Sequence, residues 1–253
     1  MKKKIELASD MGESFGNYVL GRPEEVMKLI NTAFVACGFH AGDPAVMLQT
    51  VKWCQQYNVI LGAHPGYPDL LGFGRRYMKI TPDEARNYTI YQVGALKNFA
   101  EYVGVKIRTA KPHGAFYKWC IESEENAKAV LEGLMTIGTS LEALHLPALP
   151  DTPFHQAVKR AGLRLIGEFY PGLAYTPTGD VTVARTYVAD PVSETQMVMK
   201  YVKTGKVETI ESKDIDLNAE TITVHGDMAN CPEILVAMRE ALGKEGVEIA
   251  PAL

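Results

Sequence analysis

One short pattern recurs along this chain. An apolar run breaks at a glycine or proline, and a histidine stands at the break. It occurs at Phe34-Val35-Ala36-Cys37-Gly38-Phe39-His40-Ala41-Gly42-Asp43-Pro44 and again at Val59-Ile60-Leu61-Gly62-Ala63-His64-Pro65-Gly66-Tyr67-Pro68-Asp69. Ile107 to Ala110 followed by Lys111-Pro112-His113-Gly114 is a third case, and Ile222-Thr223-Val224-His225-Gly226-Asp227 a fourth. Four of the six histidines thus stand where a predicted strand ends. In a parallel α/β fold all strand C-termini open on one face, and ligands bind there. The pattern therefore predicts four histidines converging on one cleft.

The remaining periodicities fit that architecture. Predicted strands cover Lys4 to Leu7, Thr32 to Ala36, Val59 to Ala63, Val105 to Ala110, Leu141 to Leu146, Leu163 to Gly167, Val181 to Ala184 (a poorer one) and Thr221 to Val224. Helix starts fall between them. Pro23, Pro44 and Pro191 suit a first helical turn, and Thr81-Pro82-Asp83-Glu84 reads as a capping box. The segment from Tyr170 to Gly179 reads as loop. Strands alternating with helices throughout predict an α/β fold, a TIM-like (β/α) barrel of seven or eight strands. The chain has 253 residues, close to the roughly 250 typical of such barrels. No linker or internal repeat interrupts it, so residues 1–253 are expected to form a single barrel domain.

Composition excludes several classes. A net charge of −4 gives no support for binding nucleic acid or an anionic membrane. No apolar run is long enough to span a bilayer, and no signal-peptide core follows the basic start. The four cysteines are widely spaced without a CxxC pair, so zinc-ribbon and thioredoxin readings fail. Reduced thiols in a cytoplasmic protein are the expectation.

The polar groups at predicted strand ends are Asp10, Glu13, His40, Asp43, His64, Lys111, His113, Glu168, His225 and Asp227. Buried charges are costly unless they serve one another or a ligand. Histidine suits proton transfer near neutral pH, and carboxylates suit base or metal-ligand roles. Lys111, Arg75 and Arg76 suit a carboxylate or phosphate. Asp10 with His40 and His64 is a candidate mixed site for a divalent metal, although no HExxH or HxH spacing accompanies it. Structural explanations stand beside these. Asp43 and Asp190 precede proline as helix caps would, Arg75-Arg76 reads equally as a solvated pair, Cys37 as a small buried residue, and His145 and His155 as structural. No GxxxxGK[ST] phosphate loop exists, and Gly72-Phe73-Gly74 lacks the third glycine of a dinucleotide fingerprint.

These stretches resemble the LamB/YcsF, or lactam-utilisation, family. The matching segments are Asp10-Met11-Gly12-Glu13-Ser14-Phe15-Gly16, Ala36 to Pro44, Gly62 to Asp69 with Gly72-Phe73-Gly74-Arg75-Arg76, Lys111 to Tyr117, and Val224-His225-Gly226-Asp227. The resemblance implies a barrel related to the glycoside hydrolase/deacetylase group. It implies a role as the A subunit of an ATP-dependent 5-oxoprolinase, which cleaves the 5-oxoproline lactam to glutamate with B- and C-like partners. ATP would then be used by the complex, which agrees with the missing phosphate loop. The expected catalytic groups are Asp10, Glu13, His40, His64, His113 and Lys111. Asp43, Arg75, Arg76, Glu168, His225 and Asp227 are expected around the substrate.

Two departures bear on substrate. The family's Asp-Leu-Asn is Glu6-Leu7-Ala8 here. Its Asp-Arg pair, in the segment between Glu168 and Tyr175, is Gly172-Leu173, which removes a bidentate anion clamp. A related lactam therefore stays open as substrate. So do a stand-alone metal-dependent amide hydrolase of the deacetylase type, a non-catalytic regulatory role, and a homo-oligomer.

Overall fold

The computed structural model describes residues 3–148, 151–182 and 190–253. In chain order its elements begin β1 (Lys4–Met11), α1 (Pro23–Met27), β2 (Thr32–Ala36), α2 (Pro44–Gln56), β3 (Ile60–His64), α3 (Pro82–Val103) and β4 (Ile107–Ala110). They continue with α4 (Gly114–Cys120), α5 (Glu124–Met135), β5 (Ala143–Pro147), α6 (Pro153–Arg160), β6 (Arg164–Phe169), β7 (Ala174–Tyr175) and β8 (Val181–Thr182). The last are α7 (Pro191–Thr204), β9 (Lys206–Glu208), β10 (Asp214–Asp216), β11 (Thr221–His225), α8 (Cys231–Lys244) and β12 (Glu248–Ile249).

Strands β1 to β6 and β11 pair in parallel, and β11 pairs back onto β1, closing a barrel of seven strands. β12 adds two residues beside the start of β1. The expected strand at 181–184 is not part of the barrel. Val181–Thr182 pair antiparallel with Ala174–Tyr175 in a separate ribbon, and residues 183 and 184 lie outside the described residues. The closing place goes to β11, whose Thr221, Ile222, Thr223 and Val224 are all buried.

β1 is longer than its apolar centre predicts. Ala8 and Ser9 are small and buried, so neighbours on both sides stay paired as far as Asp10 and Met11. Asp10 is therefore a strand residue, opposite His225 across the closing seam. The predicted helix starts are present. Asp43 accepts from the backbone of Ala45 and Val46, Thr81 and Glu84 form the capping box, and Asp190 accepts from Ser193. The short α4 carries no readable period, because Ala115, Phe116, Tyr117, Trp119 and Cys120 are buried nearly all round.

Strand alternation layers the barrel interior. At the N-terminal end Glu6 is fully buried. It accepts from Thr32 at 2.6 Å, Thr221 at 2.6 Å and His145 Nε2 at 2.8 Å, and from the backbone of Ala252 at 3.2 Å. Above it the Phe34 ring fills the centre. Gly62 permits this, because a Cβ there would lie 2.7 Å from Phe34 Cδ1. The third layer, at the C-terminal mouth, is polar.

Candidate active site

Lys111 organises the mouth. It follows β4 and is buried, with Nζ 2.8 Å from Asp10 Oδ1 and 3.0 Å from Glu168 Oε1. The same ammonium lies 4.3 Å from the Phe34 ring centre and 5.3 Å from that of Tyr170. Glu168 also accepts from Thr223 at 2.5 Å and from the Tyr170 hydroxyl at 2.6 Å. One cation thus joins two carboxylates, each delivered by a different strand.

The histidines stand beside this group. His64 Nδ1–H donates to the Lys111 carbonyl at 2.8 Å, and His113 Nε2–H donates to the Phe73 carbonyl at 2.8 Å. His64 Nε2 and His113 Nδ1 face each other at 3.0 Å. His40 stacks on His113 with ring centres 3.9 Å apart and planes within 3°. Glu13 Oε1 lies 3.9 Å from His40 Nε2. Asp10 Oδ2 is 3.6 Å from His64 Nε2 and 3.9 Å from His225 Nε2. His225 is partly exposed and stacks on Tyr170.

This arrangement separates the two carboxyls of the β1 motif. Burial alone would raise Asp10, but Lys111, His64 and His225 outweigh it and hold Asp10 well below the usual range. Burial, then the charges of Asp10 and Asp227, push Glu13 well above it, and Arg75 and Lys111 offset this only in part. Burial lowers His40, His64, His113 and His225. Burial would also lower Lys111, but Asp10 and Glu168 raise it above its ordinary value. Opposed environments for neighbouring carboxyls are a recurrent feature of acid–base sites.

The predicted residues divide clearly. Asp10, Glu13, His40, His64, Lys111, His113, Glu168 and His225 come together. Asp227 joins their rim half-buried, with Oδ1 enclosed and without a hydrogen-bond partner. Asp43 does not join them. Its carboxylate caps α2 and accepts from Gly16 N at 2.7 Å, tying down the β1–α1 loop. Arg76 pairs with Asp69 and braces its own loop. Arg75 is exposed, with its guanidinium over the Phe73 ring at 5.2 Å and its charge felt at Glu13 and His113. Thr223 is a site residue that the strand-end pattern misses. It stands two residues before His225, and strand alternation places both on one face.

One donor atom each from Glu13, His40, His64 and His113 lie within 4.8 Å of one another, so these four could hold a metal ion. The set expected from sequence differs. Asp10 is engaged by Lys111, and His113 and Glu13 complete the group. A cavity of about 320 Å³ opens alongside, lined by Asp10, Glu13 and Asp227 together with Leu20, Val46 and Trp53.

The fold and mouth define a parallel (β/α) barrel with a buried cluster of carboxyls, histidines and one lysine at the strand C-termini. The LamB/YcsF family model matches residues 5–253, and the chain belongs to that family. It is 44% identical over 251 residues to the 5-oxoprolinase A subunit of Pyrococcus abyssi, covering 98% of this chain and 97% of that protein. The crystal structure of the lactam utilization protein from Thermus thermophilus superposes with a TM-score of 0.86 at 35% identity, covering 98% of this chain and 99% of that one. A family 4 carbohydrate esterase from Streptomyces lividans shares the fold alone, with a TM-score of 0.52 at 10% identity over 99% of this chain and 93% of that one.

Proposed function

We propose that this chain opens the ring of 5-oxoproline, or a closely related lactam, as the A subunit of an ATP-dependent 5-oxoprolinase working in the cytoplasm with B- and C-like partners. The observation that carries this reading is the Lys111-centred mouth in a chain 44% identical, over nearly its whole length, to a protein called the A subunit of 5-oxoprolinase.

An unactivated lactam is a poor electrophile. Attack of its carbonyl oxygen on the γ-phosphorus of ATP releases ADP and, with loss of the ring N–H proton, leaves a phosphorylated lactim. Water then adds to the ring carbon and the C–N bond breaks, with a proton passing to nitrogen. The acyl phosphate that results is hydrolysed by a second water to the open amino acid and inorganic phosphate. The chain must supply a base, a proton route and positive groups facing the oxygen. Asp10 beside His64, or Glu13 beside His40, activates the water. Lys111 faces the oxygen, and His40, His64 and His113 line the reacting carbon. The neighbouring cavity, lined by Asp10 and Glu13 and walled by Val46 and Trp53, offers apolar surface suited to the ring methylenes. Arg75 is the cation at the rim suited to the substrate carboxylate, because position 173, where the family has arginine, holds a buried leucine.

The test is release of glutamate from 5-oxoproline by the purified chain, alone and with its partners. Glutamate only in the complete, ATP-supplied mixture is the expected result. ATP-independent turnover by the chain alone would replace this reading with a stand-alone amide hydrolase. No glutamate from partners proven competent with another A subunit would exclude 5-oxoproline as substrate.

A further inference from the structure

The carbonyls beside His64 and His113 leave one lone pair of each ring facing the other. A carbonyl oxygen only accepts, so His64 carries its hydrogen on Nδ1, which faces Lys111 O at 2.8 Å. By the same argument His113 carries its hydrogen on Nε2, which faces Phe73 O at 2.8 Å. The other nitrogen of each neutral ring is a bare lone pair. Those two lone pairs, His64 Nε2 and His113 Nδ1, point at each other across 3.0 Å. Two acceptors cannot stay this close without a cation between or beside them.

The surroundings say which cation. His40 is fully buried, and neither of its ring nitrogens has a hydrogen-bond partner. Its Nε2 faces Glu13 Oε1 at 3.9 Å. A shared proton would satisfy only two atoms along one line. A metal ion accepts the facing lone pairs of His64 and His113 at once, and Glu13 and His40 each have a donor within 4.8 Å of theirs, His40 joining once its ring turns out of its stack on His113. A tetrahedral zinc-like ion, with bonds of about 2.0–2.1 Å to nitrogen, spaces its donors roughly 3.3 Å apart. The separations of 3.0 and 3.9 Å bracket that figure.

We propose that Glu13, His40, His64 and His113 bind one borderline divalent ion of the zinc class, with His64 coordinating through Nε2 and His113 through Nδ1. The carbonyls of Lys111 and Phe73 fix the two tautomers, as outer-shell acceptors do in metal sites. The loop is shaped for this. Phe73 adopts φ 53°, a left-handed conformation uncommon for a bulky residue, and its carbonyl meets His113. At Gly74 a Cβ would lie 2.6 Å from His40 Cβ and 2.8 Å from His113 Cδ2, so glycine lets the loop close on the stacked pair. Asp10 is not one of the four residues whose donors meet; its Oδ1 pairs with Lys111, and its Oδ2 stands 3.6 Å from His64 Nε2. Binding depends on the donor atoms alone. Only the ion's use, polarising a carbonyl or a bound water, rests on the lactam reading.

The experiment is metal titration of the untagged full-length chain after chelator treatment and dialysis, first with Zn²⁺ and then with Co²⁺ as a visible-absorbing substitute. The expected result is one ion per chain, with Co²⁺ bands typical of nitrogen and oxygen ligands. His113→Ala and the near-isosteric Glu13→Gln should each weaken binding by about tenfold or more, with unchanged far-ultraviolet circular dichroism. Absence of uptake by the wild-type chain would overturn the proposal, as would an undiminished site in a folded His40→Ala/His113→Ala double variant. Metal uptake is read without turnover, so failure here and failure of the lactam assay are separate results.

Discussion

The Lys111 ammonium lies 2.8 Å from Asp10 Oδ1, with both groups buried at the mouth of the barrel. The same nitrogen meets Glu168 at 3.0 Å, so removing the lysine leaves two enclosed carboxylates without their cation. Breaking a buried pair by deleting one partner typically costs about 3–5 kcal/mol. Lys111→Met is expected to lose stability of that order in urea unfolding at neutral pH. Adding Glu168→Gln should recover part of it. A loss below about 1 kcal/mol, the range of an exposed pair, would mean the triad is not dry.

Glu6 gives a pH test at the opposite end of the barrel. Burial raises its pKa, but the His145 hydrogen bond and charge, with the Thr221 and Thr32 hydroxyls, outweigh burial and leave it lowered. A folded pKa below the unfolded one adds stability above the unfolded carboxyl range, about 4.3 for glutamate. That stability is lost as pH falls through the folded value. Glu6→Gln should cost about 1–3 kcal/mol at neutral pH. The gap from wild type should narrow as pH drops below the unfolded value. A gap independent of pH would show that charge at Glu6 contributes nothing.

Gly62→Ala tests the packed centre. The added Cβ would lie 2.7 Å from Phe34 Cδ1 and 3.0 Å from Thr109 Cγ2, both fully buried. Overpacking of this kind costs about 1–3 kcal/mol. Combining it with Phe34→Leu should relieve part of the loss in thermal unfolding. Equal stability of Gly62→Ala and wild type would mean that the ring has room to move.

Arg75→Ala tests substrate anchoring. Arg75 is exposed, so stability should change by no more than about 0.5 kcal/mol. Loss of a charge-assisted contact worth about 1.5–3 kcal/mol should raise KM for the lactam tenfold or more and lower kcat less. Arg76→Ala should instead loosen the Asp69 loop. An unchanged KM in Arg75→Ala would remove this arginine from the substrate contacts.

The strand-end histidines make the site legible, because a strand fixes where its last residue points and a barrel gathers all such ends. Hence His40, His64 and His113 meet as the pattern predicts. Neighbouring loop residues carry no such constraint. Arg75 and Arg76 are adjacent in the chain, yet one faces the mouth and the other ties down Asp69. Asp43 lies in the same motif as His40, but the helix after it claims its carboxylate. The barrel's closing strand is harder to place. Val181 to Ala184 and Thr221 to Val224 both read as strands, and long-range pairing is what sets Thr221–His225 beside β1 and β6 and Val181–Thr182 beside Ala174–Tyr175. Glu6 stands out in the sequence only as a departure from the family pattern. Its role depends on Thr32, His145 and Thr221, which are far away along the chain.

We infer that the Asp10–Lys111 mouth performs ring opening. Its most direct test is glutamate released from 5-oxoproline by reconstituted complexes containing either the wild-type chain or Asp10→Asn, at equal concentration of folded chain. The account predicts ATP-dependent glutamate with wild type and a rate at least about a hundredfold lower with the variant, the low end of a general base's contribution. An Asp10→Asn rate within a few-fold of wild type would contradict it.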